Sequence, residues 1–251
     1  MDNVVLLSII VPTFNEGDNV RRVVREVAHA LPDTAYEIVF VDDSTDHTPL
    51  ILEVLSHENL HIRVLHRTAE RGLGSAIVRG FKEARGSVLA VMDGDLQHPP
   101  SVIPVMLSMM EKGADLVVPS RFIPGGSDGG LTLSRKFVSL VARWIAQVLF
   151  SRVRSISDPT GGLFMLRREV IDGLRFDAGS WKILIEILVR GCYGLVIEIP
   201  YTFRARDLGT SKMSYRAQFD YLWHLFRMRT MRKYTKRASP CKKIPQIIQN
   251  I

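Results

Sequence analysis

Residues 87–100 read Ser-Val-Leu-Ala-Val-Met-Asp-Gly-Asp-Leu-Gln-His-Pro-Pro, an apolar run stopped by two carboxylates and an amide at alternate positions. The run 87–92 has the content of a buried strand. Spacing of two puts Asp93, Asp95 and Gln97 on one side of an extended or turning segment, so three oxygens can converge on a hard cation. An isolated Asp-x-Asp equally describes a solvated turn that ends a strand. The preceding strand favours the site, because ligands of open α/β sheets gather at the carboxyl ends of strands.

Working outward, apolar strands alternate with helical patterns. Strands are expected at 6–12, 36–41, 62–66, 88–92 and 115–119, and helices at 19–30, 48–56, 74–84 and 101–111. This order implies an α/β fold, a mostly parallel sheet flanked by helices. Beyond Arg121 the organisation changes. Residues 123–130 are glycine-rich and read as a mobile loop, followed by a long amphipathic helix over 133–150. A turn into a strand (157–166), a helix (180–190), a strand (196–203) and a helix (215–234) follow, and the segment from 235 onward reads as weakly ordered. The expected division is a main α/β domain over 1–215 and an appendage over 216–251, a basic aromatic helix and tail.

The chain has 251 residues, 46% hydrophobic, enough for a full core. Its net charge of +7 is uneven: residues 204–243 hold 12 Lys and Arg against 2 Asp, leaving the remainder at −3. Such a patch suits an anionic membrane, a phosphorylated substrate or nucleic acid, but none of the usual nucleic-acid modules is present. No uninterrupted apolar run reaches the roughly 18 residues of a membrane span, and no secretory signal pattern opens the chain. Cys192 and Cys241 lack metal-ligand spacing and read as a core and a tail residue rather than a disulfide.

Two further strand ends carry chemistry. Val11-Pro12-Thr13-Phe14-Asn15-Glu16 brings a rigid turn, an aromatic ring and a carboxylate, and Val41-Asp42-Asp43-Ser44-Thr45-Asp46 brings carboxylates to the adjacent edge. A base and ribose need that mixture of apolar surface and acceptors. Asp46 serves equally well as a helix cap and is left out of the site. Arg71-Gly72-Leu73-Gly74 precedes a helix, where backbone approach to an anion is easy. A third glycine and the following acidic residue do not fall into place, which disfavours a dinucleotide oxidoreductase.

Together VPTFNE (11–16), VDDSTDHT (41–48), RGLGSA (71–76), MDGDLQHPP (92–100), Ser120-Arg121-Phe122, SDPTGGLFMLRR (157–168) and RARDLGTSKMS (204–214) resemble family 2 glycosyltransferases of the GT-A, nucleotide-diphospho-sugar transferase fold. Within that family they resemble the polyprenyl-phosphate sugar transferases, the dolichol-phosphate mannosyltransferase group. The likeness covers roughly residues 8–215. Phe14 replaces a usual tyrosine, and His47 stands where glycine is frequent.

The resemblance implies that Pro12, Phe14, Glu16, Val41 and Asp43 surround the nucleoside. Asp93, Asp95 and Gln97 would hold Mg²⁺ or Mn²⁺ on the diphosphate, with Asp93 also facing the nucleotide, and Arg206 and Lys212 would complete the clamp. Arg121, Arg135 and Ser139 would hold the acceptor phosphate, guanidinium groups matching its oxygens in parallel N–H pairs. Asp95, Arg121 and Arg135 are thus the catalytic candidates. A polar stripe on an exposed helix is the alternative for Arg135 and Ser139.

The expected reaction is inverting, metal-dependent transfer of a hexose to polyprenyl or dolichyl phosphate, with mannose from GDP-mannose foremost. An ionised phosphate nucleophile has little need of a strong general base. The alternatives are UDP-glucose as donor, elongation of another glycan, or a nucleotide-binding scaffold without turnover. The helices at 133–150 and 215–234 interleave aromatic and basic residues as C-terminal interfacial helices would, though each could pack on the core instead. Peripheral attachment to the cytoplasmic face of a membrane is expected, with a membrane-protein partner conceivable and no nucleic acid.

Overall fold

A computed structural model describes residues 6–129, 133–176, 182–205, 215–230 and 245–249, with backbone alone at 133–135 and 215–220. Strands β1 (Leu7–Thr13), β2 (Tyr36–Asp42), β3 (Ile62–His66), β4 (Val88–Val91), β5 (Leu116–Ser120), β6 (Phe164–Arg167), β7 (Leu195–Pro200) and β8 (Gln246–Gln249) form one sheet, ordered β3-β2-β1-β4-β6-β5-β7-β8. Every neighbouring pair is parallel except those of β6, which runs antiparallel between β4 and β5.

Both faces are covered, so the strands read as continuous apolar runs. Ile10, Val39, Val41, Leu89 and Val91 meet α3 (Leu73–Glu83), α6 (Ile183–Arg190) and parts of α5 (Leu133–Leu149) and α7 (Tyr215–Thr230). Their neighbours Ile9, Val11, Ile38, Phe40 and Ala90 meet α1 (Gly17–Ala30), α2 (Thr48–Glu58) and α4 (Ile103–Glu111) on the other face. The two-residue period of a strand makes this division. On α1, Val20, Val23 and Val27 recur at helical spacing and are buried.

β1 pairs with β2 from Leu7↔Tyr36 to Thr13↔Asp42 and with β4 from Leu7↔Val88 to Ile10↔Val91. After β1 the chain moves outward through β2 and β3, then returns to the other side of β1 with β4. The segments leaving the carboxyl ends of β1 and β4 therefore diverge, which opens a crevice where 12–16 and 93–98 face each other.

Three expectations need correction. Residues 246–249, read as weakly ordered tail, form β8 beside β7 in the register Leu195↔Gln246 to Glu198↔Gln249; backbone pairing, not hydrophobic periodicity, orders so short a segment. Residues 123–129, read as mobile from their glycines, are tied down: the Ser127 amide donates to Tyr201 O at 3.0 Å and the Phe203 amide to Ser127 O at 2.9 Å. Cys192 is disulfide-bonded, with its partner outside the described residues. β8 returns the chain to Leu195, a proximity that linear separation conceals.

No helix among the described residues is long and apolar enough to cross a membrane.

The buried Glu37 of β2 ties the sheet to the start of β4. Its carboxylate accepts from Ser8 Oγ (2.6 Å), the Arg85 amide (2.6 Å) and Arg63 Nη1 (3.0 Å). Burial pushes its pKa up, but these donors and the Arg63 charge outweigh it and hold it below the ordinary value. A depressed pKa stabilises the fold above the unfolded value and is lost as pH falls through the folded one. Glu37→Gln is expected to cost about 2–3 kcal/mol at pH 7, since charge-assisted bonds are lost. In urea titrations the difference from wild type should shrink as the pH is lowered below about 4.

Candidate active site

The segment following β4 turns sharply. Leu96 adopts φ 59°, a left-handed conformation that costs a branched residue about 1 kcal/mol or more, and its side chain is buried. Asp93, Asp95 and Gln97 all line one cavity. Their convergence is the work of this turn and not of strand alternation. The Gln97 amide N–H donates to Asp95 Oδ1 at 3.1 Å, and Gln97 Nε2 donates to Arg204 O at 3.2 Å. That assignment leaves Gln97 Oε1 as the atom able to ligate.

Asp93 is steered by His98, whose Nε2 lies 3.4 Å from Asp93 Oδ2 and whose Nδ1 lies 3.2 Å from Tyr201 Oη. Burial raises the Tyr201 pKa, so its hydroxyl stays protonated, and its contact with Nδ1 holds the His98 ring with Nε2 toward Asp93. Gly162 packs against the same carboxylate: a Cβ there would collide with Asp93 Oδ2 and approach His98 Nε2 to 3.0 Å.

The donor set is two carboxylates and an amide oxygen, hard ligands that fit Mg²⁺ or Mn²⁺, and the cradle left by Gly162 keeps Asp93 in place. Among the described residues no group of three or more His, Cys, Asp and Glu is arranged around a metal. A cation here would draw its remaining ligands from substrate and water, the usual habit of Mg²⁺ beside one or two carboxylates.

At the ends of β1 and β2, Pro12, Phe14, Glu16 and Asp43 also line the cavity. Asn15, at φ 53°, fastens the two loops: its N–H donates to Ser44 Oγ at 2.7 Å and its Oδ1 accepts from the Thr45 amide at 2.9 Å. Asp43 is heavily engaged, accepting from Arg67 Nε and Nη2 at 2.7 and 2.6 Å and from the Gly72 amide at 2.9 Å. Its carboxylate fixes the 67–72 loop against β2 and thereby shapes this end of the cavity. Val41 does not line it, for its side chain is buried in the core cluster that includes Ala76 and Ile77 of α3. Asp46 Oδ1 accepts from the Thr48 amide at the start of α2.

At the opposite wall, Arg121 Nε and Nη2 form a fork with Asp158 Oδ2 and Oδ1 at 2.7 and 2.9 Å, and both side chains are buried. Burial alone would lower the Arg121 pKa; the Asp158 hydrogen bonds and charge hold it above the ordinary value. Lys182, just before α6, donates from Nζ to Thr160 O at 2.6 Å and lines the cavity with Arg121. Burial lowers its pKa, Asp93 and Asp158 oppose this, and Arg121 adds to it. Ser139 lines the cavity. Arg135 lies in the first turn of α5 with its side chain outside the described residues, as are Arg206 and Lys212 altogether.

The cavity measures about 830 Å³ and is lined by both charged and apolar side chains. The sheet edge gives it carboxylates and cations. Ala76 and Ile77 of α3, Val141 and Ile145 of α5, and Leu222 of α7 make the rest apolar. Sequence reading missed Lys182, Asp158, Thr160, Gly162, His98 and Arg67. For four of them a signal existed in the runs 157–168 and 92–100, whose role was not assigned residue by residue.

Removing Asp158 would leave Arg121 as a buried, unpaired charge. Asp158→Ala is expected to destabilise the protein by about 3–5 kcal/mol. Arg121→Ala/Asp158→Ala should recover part of that loss when denaturant midpoints are compared.

The sequence profile described as Glycosyl transferase family 2 matches residues 8–175. The dolichol-phosphate mannosyltransferase of Pyrococcus furiosus is 41% identical over 88% of this chain, which spans 63% of that relative's length. The Saccharomyces cerevisiae protein of the same name is 34% identical over 87% of this chain and 85% of its own. Among solved structures, glucosyl-3-phosphoglycerate synthase from Mycobacterium tuberculosis, in complex with Mn²⁺, UDP-glucose and phosphoglyceric acid, superposes with a TM-score of 0.67 at 18% identity, covering 89% of this chain and 79% of that one. The sheet, the crevice beside β1 and the acidic turn after β4 are thus those of a GT-A fold, and the chain belongs to glycosyl transferase family 2, in the group of the dolichol- and polyprenol-phosphate mannosyltransferases.

Proposed function

We propose that this protein transfers a hexose, mannose from GDP-mannose foremost, to the phosphate of a polyprenyl or dolichyl phosphate with inversion at the anomeric carbon. The observation that carries the reading is one cavity lined both by carboxylates and cations beside the sheet edge and by apolar side chains of α3, α5 and α7. A nucleotide sugar suits the first, and an isoprenoid chain the second.

Pro12, Phe14 and Glu16 would seat the nucleoside. Asp93, Asp95 and Gln97 would hold Mg²⁺ or Mn²⁺, which when bound would supply positive charge against the leaving nucleoside diphosphate. Arg121 and Lys182 hold the acceptor phosphate, beside Ser139. Arg135, Arg206 and Lys212, which the family resemblance adds to this clamp and to the diphosphate, lie outside the described residues or have their side chains there. The acceptor oxygen is already ionised near neutral pH, so these side chains orient it and none is required to remove a proton.

Helices α5 and α7 carry hydrophobic residues on two sides. Ala146 of α5 and Tyr221, Leu225 and Met228 of α7 are buried, whereas Phe137, Leu140, Trp144, Trp223 and Phe226 are exposed, Phe137 at 69% and Trp144 at 64%. Exposed aromatic faces next to a lipid-shaped cavity suit the interfacial region of a bilayer. Arg227 and Arg229 in the last turn of α7 would each add about 1 kcal/mol on an anionic leaflet. These features support the reading of a peripheral enzyme, attached to the cytoplasmic face where nucleotide sugars are available.

The test is incubation of the purified protein with labelled nucleotide sugars, Mg²⁺ or Mn²⁺, and short polyprenyl phosphates, with transfer into the organic phase as readout. Asp95→Asn removes a ligand charge without changing volume and is expected to lower transfer at least about 100-fold, given the several kcal/mol such charge stabilisation is worth, with an unchanged unfolding midpoint. Turnover by that variant under limiting metal would overturn the assignment. Trp144→Asp/Trp223→Asp should abolish flotation with anionic liposomes while nucleotide affinity holds; flotation equal to wild type would exclude docking by these faces.

A further inference from the structure

Arg121 reaches the cavity from a scaffold that ends at the far edge of the sheet. Ser157 Oγ donates to Glu198 Oε1 at 2.6 Å, so the hydrogen bond between Ser120 Oγ and Ser157 Oγ, 3.0 Å, must use the Ser120 proton. Ser120 Oγ in turn accepts from the Phe122 amide at 3.2 Å. The Ser157 amide also donates to Glu198, at 2.9 Å to Oε1, and the Asp158 amide approaches the same oxygen at 3.4 Å. The buried Glu198 of β7 therefore fastens the residues on either side of Arg121 to the loop that carries its partner Asp158.

The remaining partner of Glu198 comes from β8. Parallel register sets Gln249 beside Glu198, and Gln249 Nε2 donates to Glu198 Oε2 at 2.7 Å and to Ser155 O at 3.1 Å. Burial raises the Glu198 pKa while Ser157 and Gln249 oppose the rise, so the Gln249 amide helps keep Glu198 an acceptor for the Ser157 donors. β8 is the edge strand on this side of the sheet, joined through β7 alone.

We infer that β8 is a positioning element of the transferase site: Gln249, acting through Glu198 and Ser157, sets the Asp158–Arg121 pair that receives the acceptor phosphate. The inference rests on the reading of Arg121 as an acceptor-phosphate ligand. Neither Glu198 nor Gln249 lines the cavity, so both act through other residues.

The test uses the full chain and its Gln249→Ala, Glu198→Gln and doubly substituted variants, with amide exchange across 155–162 and transfer kinetics to farnesyl phosphate. Gln249→Ala is expected to speed exchange in 155–162 and to lower kcat/KM for farnesyl phosphate about tenfold, as loss of a charge-assisted hydrogen bond implies. Nucleotide affinity and exchange in β2 should stay at wild-type values, and adding Gln249→Ala to Glu198→Gln should change little. Unchanged exchange in 155–162 overturns the inference, as does a loss of nucleotide affinity in step with acceptor use, or faster exchange in β2 that marks general loosening. If wild type transfers no sugar to any polyprenyl phosphate, the substrate reading fails, while the exchange measurement still decides the coupling.

Discussion

Parallel pairing of β1 with β2 on one side and β4 on the other is the constraint on which the site depends. Strands β1, β2 and β4 must end at the same edge, and the connections to α1 and α4 must leave that edge on diverging paths. The crevice follows from topology, before any side chain is chosen. Residues that chemistry needs together, Pro12 to Glu16 and Asp93 to Gln97, then require only short turns to face one another. The left-handed Asn15 and Leu96 supply those turns, one stabilised by Ser44 and Thr45, the other by burial of its side chain.

Charge within this frame is handled by pairing. Asp43 with Arg67 and Asp158 with Arg121 are both fork-shaped and buried, so each carboxylate has its lone pairs directed to a fixed partner. Such pairs add little net stability against a well-packed apolar alternative. Their use is geometric: one fixes the glycine-containing loop before α3, the other fixes a guanidinium in the cavity wall. Lys182 adds a second basic side chain to the cavity wall, held by Thr160 O, and burial lowers its pKa.

Much of this was legible in the sequence because the contacts are local. Asp93, Asp95 and Gln97 lie within five residues, and Pro12, Phe14 and Glu16 follow directly from a strand with clear apolar content. The alternation of strands and helices likewise placed the sheet and its flanking layers. What escaped reading depends on distant pairing. Nothing near Asp158 announces Arg121 as its partner, and Glu198 looks like one polar residue in a strand until Ser157 and Gln249 are seen around it. Val41 joins the nucleoside set only through the family resemblance, whereas strand alternation sends its side chain into the core. β8 has only Ile247 and Ile248 between polar residues and acquires order from β7, which no periodicity in four residues could signal.

The proposed function, with a metal-bound nucleotide and a lipid phosphate sharing one cavity, implies that the two phosphorus-bearing ligands are close neighbours. The direct measurement is relaxation of the ³¹P nucleus of farnesyl phosphate by Mn²⁺ in the presence of nucleoside diphosphate and protein. Strong relaxation that vanishes when Mg²⁺ replaces Mn²⁺ and in the Asp95→Asn variant is the expected result. Saturating binding of farnesyl phosphate without any effect of Mn²⁺ on its ³¹P signal would place the acceptor away from the acidic turn and contradict the shared cavity.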